Sequence, residues 1–138
     1  MEFITGVFEH GDYLAALVAT LASFALGFVW YNPKVFGTVW MEGVGLTPDD
    51  AKKANMPVIF GANFVVTFLA ALAISALFTR YASPVEGLKA GLLVGIFWGA
   101  TTHVMHTLYE LRSARTVAIG ALHDVVHFGL MGLVLGLF

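Results

Sequence analysis

Long apolar stretches separated by short polar segments dominate the hydrophobic pattern of this chain. Four of them reach the length of about 20 residues that a helix needs to cross the hydrocarbon core of a bilayer. They cover approximately residues 13–31, 58–79, 88–109 and 117–138. An isolated strand in lipid would leave its backbone groups without hydrogen bonds, and the alternation typical of a membrane β-barrel is absent. The pattern therefore predicts an all-α, four-helix transmembrane bundle.

Capping signals locate the helix starts. Ser83 precedes a proline and stands three residues before Glu86, which is typical of a helix N-terminus, and Asn55 precedes the second span in a similar way. Thr47, followed by a proline and two acids, predicts a short amphipathic helix near residues 48–55, between spans 1 and 2. The other connections are tight, which favours an up-down arrangement of antiparallel neighbours.

The distribution of Lys and Arg predicts the orientation in the membrane. Loops with more of these residues stay in the cytoplasm. The loops after spans 1 and 3 hold five of them, whereas the termini and the loop after span 2 hold two, namely Arg80 and Lys89. We therefore expect both termini outside the cytoplasm and the short helix inside it. The five cytoplasmic residues are Lys34, Lys52, Lys53, Arg112 and Arg115.

Composition narrows the possible classes of protein. The 138 residues are 59% hydrophobic and only 12% charged, whereas about 25% is usual for soluble domains, and a small soluble domain could not bury so much apolar surface. Seven Lys and Arg against nine Asp and Glu leave no basic patch for nucleic acid. The absence of cysteine excludes disulfides, Cys-ligated zinc and iron–sulfur clusters. One integral membrane domain, residues 1–138, remains.

An aromatic motif follows the first span, where residues 27–40 read G-x-x-W-Y-x-P-x-x-F-G-x-x-W. Pro33 cannot continue the helical hydrogen-bond ladder, so the first span should end before it. Gly37 permits a tight turn or a close approach. We expect the aromatic side chains at headgroup depth with their polar tips in water, either as a membrane-interface anchor or as a site for a lipid, pigment or partner helix. They are Trp30, Tyr31, Phe36 and Trp40.

The W-Y-x-P-x-x-F-G-x-x-W string resembles a family of small bacterial four-helix membrane proteins, domain of unknown function 1761. The turn at Gly45-Leu46-Thr47 before a charged helix, and a last helix with His123 and a Met131-Gly132 pair, are also similar to that family. The resemblance covers nearly the whole chain. It implies the four-helix fold and a location in the bacterial inner membrane, and it implies no activity.

Small residues form stripes on the last two spans. Glycines at this spacing let helix backbones approach closely in lipid. Each stripe can pair either within the bundle or with another subunit. Pairing within the bundle is favoured for the third span, and both possibilities stay open for the fourth span. The third span carries Gly91, Gly95 and Gly99, and the fourth carries Gly129, Gly132 and Gly136.

Six ionisable residues continue these stripes into a polar cluster within the membrane. Spacings of three, four and seven residues keep side chains on one helical face. With the turn between spans centred near Ser113, His103 should lie level with His123. A charged side chain at this depth costs at least about 2.5 kcal/mol without a partner, so Asp124 should pair with a histidine or stay protonated. The cluster comprises His103, His106, Glu110, His123, Asp124 and His127.

Four hypotheses account for the cluster. It can have a purely structural role, in which hydrogen bonds between its side chains hold spans 3 and 4 together. It can be a transition-metal site built from His103, His106 and His123 with Asp124 or Glu110, because imidazole and carboxylate suit Zn, Fe, Mn or Cu. It can be a proton relay, since histidine titrates near neutral pH. Finally, one histidine can ligate haem or another tetrapyrrole.

Two functions remain open at this point. The first is a structural or accessory subunit that contacts lipid and associates through its glycine faces, with itself or with other membrane subunits. The alternative is an intramembrane His/Asp site that binds a metal or tetrapyrrole or relays protons. The sequence has no Gly-rich phosphate loop and no nucleophile elbow, which favours a role other than that of an enzyme.

Overall fold

A computed structural model of the chain describes residues 2–77 and 83–138, and the described residues are helical apart from turns and caps. Within these described residues, four helices are long and apolar enough to cross a membrane, which confirms the all-α prediction with four candidate spans. They are α2 (Tyr13–Trp30), α5 (Met56–Leu77), a third span (Pro84–Tyr109) and α8 (Ala114–Leu135). The predicted end of the second span at Thr79, and the Arg80 used in the charge count, lie outside the described residues.

Shorter helical elements complete the chain. The helix α4 lies where a short helix near 48–55 is predicted, whereas helical structure over residues 33–44 is not predicted by the sequence. The third span contains a wider, π-helical turn between two α-helical parts. The elements are α1 (Glu2–His10), a π-helical segment (Pro33–Gly37), α3 (Thr38–Val44), α4 (Pro48–Lys53), α6 (Pro84–Val94), the π turn (Gly95–Ala100) and α7 (Thr101–Tyr109).

Side-chain caps fix the helix starts at the predicted residues. Ser83 and Asn55 each accept a hydrogen bond from the backbone amide three residues on, which satisfies an otherwise unpaired helix N–H. Ser113 does the same for α8. Thr47 and Asp50 form a reciprocal capping box. Hydrogen bonds from the hydroxyl and amide of Thr47 lower the pKa of the Asp50 carboxyl.

The first and second spans form an antiparallel pair. At one end the amide of Asp12 donates to Ser75 Oγ at 3.0 Å, and towards the other end Phe28 packs on Phe60 with ring centroids 5.6 Å apart. A buried core of small and medium side chains fills the end of the bundle near Asp12, where α8 joins the pair. Its most buried members are Ala15, Ala16, Ala19, Ala71, Leu72 and Met131.

The two glycine stripes meet each other within the chain. A Cβ at Gly91 would collide with the carbonyl oxygen of Phe128, and one at Gly132 would collide with that of Gly87. A Cβ at Gly95 would lie 2.8 Å from the Cα of Val125. The backbones of the third span and α8 are therefore in direct contact along an antiparallel interface. For the last-span glycines at positions 129, 132 and 136, the sequence did not decide between pairing within the bundle and pairing between subunits. In the structure all three face the third span.

The π turn keeps this stripe on one side of the third span. A stripe with four-residue spacing advances by about 40° around an α-helix at every step. A π turn takes more residues per turn and counters that drift. As a result Gly91 and Gly99, which lie before and within the region of the turn, both face α8, and His103 beyond it still reaches Asp124.

The outer surface of the spans is apolar. Phe97 is 71% exposed, Leu108 61% and Val66 60%, and similar residues surround the bundle. In water such a surface would be strongly unfavourable, so it indicates contact with the lipid bilayer.

The interface between the third span and α8 yields a first prediction. Gly91→Ala should lower the free energy of unfolding by about 1–3 kcal/mol, because the added methyl group forces two backbones apart. The measurement is denaturant unfolding in mixed detergent micelles followed by circular dichroism. Gly61→Ala is the matched control, since a Cβ there meets no atom within 4 Å, and it should be neutral or stabilising. Equal stability of both variants would contradict the contact.

Candidate functional site

Two histidines and an aspartate form a connected polar group, here called the triad, between the third span and α8. Asp124 Oδ2 lies 3.2 Å from His103 Nδ1, and Asp124 Oδ1 lies 3.4 Å from His123 Nδ1. When Asp124 is ionised its carboxylate only accepts hydrogen bonds; in that state each facing Nδ1 donates its proton, and the Nε2 atoms of neutral rings keep lone pairs. The side chains are 15–29% exposed, so the triad is largely shielded.

Gly120 makes room for the triad. The His103 ring occupies the space that a Cβ at Gly120 would take, one helical turn before Asp124 on α8. This glycine was not among the predicted site residues, although its spacing of four residues from Asp124 places both on one face. His103 and His123 lie at a similar height along the packed helices, because both lie against Asp124.

The aromatic motif packs against the same histidine. The ring centroid of Tyr31 lies 5.0 Å from that of His123, and Trp30 lies 5.8 Å from it. The indole N–H of Trp30 donates to the carbonyl of Ile119 on α8 at 3.2 Å. The expectation that the polar tips lie in water is therefore wrong for Trp30, because its N–H has a protein partner. Phe36 packs on Trp30 with ring centroids 4.8 Å apart, so these aromatic side chains form a continuous wall beside His123.

The local fold of residues 31–40 positions these rings. The first span ends at Trp30, before Pro33, as predicted, and the chain restarts as a helix after the extended residue Asn32. Gly37 serves a close approach rather than a turn, since a Cβ there would collide with the carbonyl oxygen of Tyr31. This fold-back brings Trp40 to 5.2 Å from Tyr31.

A cavity of about 720 Å³, here called the large cavity, borders the triad. Glu110 and Arg112 lie at the end near the turn between spans 3 and 4, joined by an ion pair of 3.1 Å. Val94 and Phe128 line the opposite end. Sixteen residues separate Val94 from Glu110, so the cavity extends about 24 Å along the third span at 1.5 Å per residue.

The remaining predicted residues line this cavity without joining the triad. His127 contacts His123 with ring centroids 5.6 Å apart. His106 lines the cavity wall, and its side chain makes no hydrogen bond or ion pair within residues 2–77 and 83–138. Glu110 is paired with Arg112 instead of with a histidine.

The geometry does not form a metal-ligand set. Across the described part of the chain, no group of three or more His, Asp or Glu side chains converges as metal ligands do. The physical reason is that both Nδ1 atoms face Asp124, while His103 Nε2 is directed at Gly120. Imidazole and carboxylate are suitable donors for transition metals, but here they are engaged with each other.

Comparison with known proteins places the chain in a family. Residues 14–136 match the model of a family described as "Protein of unknown function (DUF1761)". The chain belongs to this DUF1761 family. The match confirms the resemblance to this family, and it includes all the residues of the triad. Searches of the curated proteins and of the solved structures gave no match. The DUF1761 description supplies no activity.

Gly120 provides a test of the triad that alters no ionisable group. Gly120→Ala should displace the His103 ring and separate its Nδ1 from Asp124, because the new methyl group takes the space of the ring. Proton NMR of the protein with ¹⁵N-labelled histidine should show the loss of one downfield Nδ1–H signal. Gly27→Ala is the control, since its Cβ meets nothing within 4 Å. Unchanged histidine signals in Gly120→Ala would contradict this arrangement.

Proposed function

We propose that this membrane protein functions through its triad as an intramembrane proton-exchange site. The observation that carries the proposal is the carboxylate of Asp124 placed between two imidazoles at the wall of the large cavity. Histidine is the side chain whose ordinary titration lies near neutral pH. Chains of His and Asp in membrane spans are typical of proton pathways.

Proton transfer through the triad needs no lone charge. A proton taken up at Nε2 of one ring gives an imidazolium beside the ionised Asp124, and the pair avoids the cost of an isolated charge in the membrane. The Nδ1 proton then passes to the carboxylate, which leaves that ring neutral with its proton on Nε2 and leaves Asp124 protonated. The reverse transfer returns the proton to Nδ1 and releases the one on Nε2. The groups that face this path are Tyr31, His106, Glu110, Arg112 and His127.

Access from one side is the second part of the proposal. The large cavity reaches the end of the bundle that carries Glu110 and Arg112. The opposite end is filled by the buried core around Ala16 and Met131. A site of this kind takes up and returns protons on one side, in contrast to a channel, which needs polar access from both.

The other hypotheses have less support. The accessory-subunit prediction depends on glycine faces that are free for association, and these faces are in contact within the chain. The metal prediction needs a converging ligand set, and the triad side chains are engaged with each other. Tetrapyrrole binding stays a prediction.

The membrane arrangement that we propose has one domain over residues 1–138 and an up-down order of spans in the bacterial inner membrane. Both termini lie outside the cytoplasm, and α4 lies inside it. The five Lys and Arg in the loops after spans 1 and 3 support this orientation. The large cavity then opens towards the cytoplasm.

Infrared difference spectroscopy tests the proton-exchange site. In lipid nanodiscs, spectra recorded between acid and alkaline pH should show carboxylate and imidazole bands that change together. Asp124→Asn should abolish that carboxylate band and alter the histidine titrations, because the shared acceptor is lost. Asp49→Asn, on the exposed surface of α4, is the matched control and should leave the coupled bands intact. Histidine titrations that are the same with and without Asp124 would overturn the proposal.

Cysteine labelling tests the orientation. The chain has no cysteine, so single substitutions on exposed residues give unambiguous signals. In spheroplasts, a membrane-impermeant maleimide should label Glu9→Cys directly and Asp49→Cys only after lysis. The reverse pattern would place α4 and the mouth of the large cavity outside the cytoplasm.

A further inference from the structure

A second cavity, of about 320 Å³ and here called the small cavity, lies between α2, α5 and α8. Four aromatic side chains line it beside a few polar ones, a combination typical of sites that enclose small, largely apolar molecules. Phe28 and Phe60 at its border are 61% and 39% exposed on the outer surface of the bundle, so the small cavity opens towards the bilayer. Its aromatic lining consists of Phe24, Phe28, Tyr31 and Phe60.

Two buried polar atoms without partners line this cavity. They are Ser23 Oγ and His123 Nε2, and no other buried side-chain nitrogen or oxygen in the described part of the chain lacks a hydrogen bond. An unsatisfied buried polar group costs about 1–3 kcal/mol. Such groups are rare in native proteins and call for a partner. That both belong to one cavity indicates an occupant with matching polar atoms.

The hydrogen-bonding capacity of the two atoms defines the occupant. In the tautomer of His123 that donates from Nδ1 to Asp124, Nε2 is an acceptor and needs a donor, whereas in the other tautomer Nε2 is a donor and needs an acceptor. The Ser23 hydroxyl is able to donate to a ligand oxygen. A phenolic hydroxyl is both a donor and an acceptor, and its ring matches the aromatic walls.

We infer that the small cavity binds a lipophilic aromatic alcohol that enters from the bilayer, with its hydroxyl group at Ser23 and His123. This inference goes beyond the proposed proton exchange. His123 is common to both proposals, but binding also needs Ser23 Oγ, whereas proton exchange also needs His103 and Asp124. His103 lines the large cavity and is not part of the small one.

The test uses 1-naphthol as the probe and naphthalene as the matched control without a hydroxyl group. Both are equilibrated with the full chain in lipid nanodiscs, and the amount retained by empty nanodiscs is subtracted. 1-Naphthol should bind saturably with one molecule per chain. Naphthalene should bind about tenfold more weakly, because it leaves both polar atoms unpaired.

Two variants locate the binding. Gly27→Leu should abolish saturable binding, because Gly27 lines the small cavity and its missing side chain leaves open space. Gly61→Leu is the control, since Gly61 also has open space around it but does not line the cavity. Ser23→Ala should weaken 1-naphthol binding about tenfold and leave naphthalene unchanged.

Each result decides for or against the inference. Equal retention of 1-naphthol and naphthalene, or binding that survives Gly27→Leu, would overturn it and assign water to the two unpaired atoms. His103→Ala separates the two proposals: it should disrupt the coupled infrared bands of the triad and leave 1-naphthol binding within twofold of the unaltered chain. Loss of 1-naphthol binding in His103→Ala with folding intact would also count against a site confined to the small cavity.

Discussion

Direct backbone contact between the third span and α8 is the constraint on which the polar chemistry depends. In lipid, helices gain little from burying apolar side chains against each other, so close packing carries more of the association. Glycine at positions 87, 91, 95 and 132 permits an approach that any side chain would block. This contact fixes the relative height of the two helices, and with it the pairing of His103 with Asp124. A slip along the interface would separate the imidazole from the carboxylate.

A carboxylate that is largely buried between two membrane-spanning helices needs polar partners that offset its lost hydration. Asp124 is 29% exposed and has an imidazole nitrogen at each of its oxygens. The aromatic motif after the first span forms a wall over His123, with Tyr31 and Trp30 on the ring. The bond from the Trp30 indole to Ile119 ties this wall to α8. The segment that carries the family resemblance is therefore a structural partner of the triad.

Local patterns predicted the fold and part of the site. The four spans, the caps at Ser83 and Asn55, and the common height of His103 and His123 follow from helical periodicity and short-range hydrogen bonds. The contact between Trp30 and α8 joins residues 89 positions apart. The contact depends on how α2 is rotated about its own axis. Because α2 is apolar on nearly every side, its sequence has no polar face from which that rotation could be predicted. For the same reason neither the partner of the α8 glycines nor the role of Gly120 could be predicted from the sequence.

The π turn has a consequence for the mechanics of the third span. It holds one residue more than an α-helix would over the same rotation. Deleting one residue there would therefore restore a regular α-helix and leave the parts before and after it in nearly the same relative orientation. Converting the turn to a regular α-helix without a deletion would instead rotate the part beyond it by about 100° and carry His103 away from Asp124. The extra residue is thus what aligns the histidine end of the third span with its glycine face.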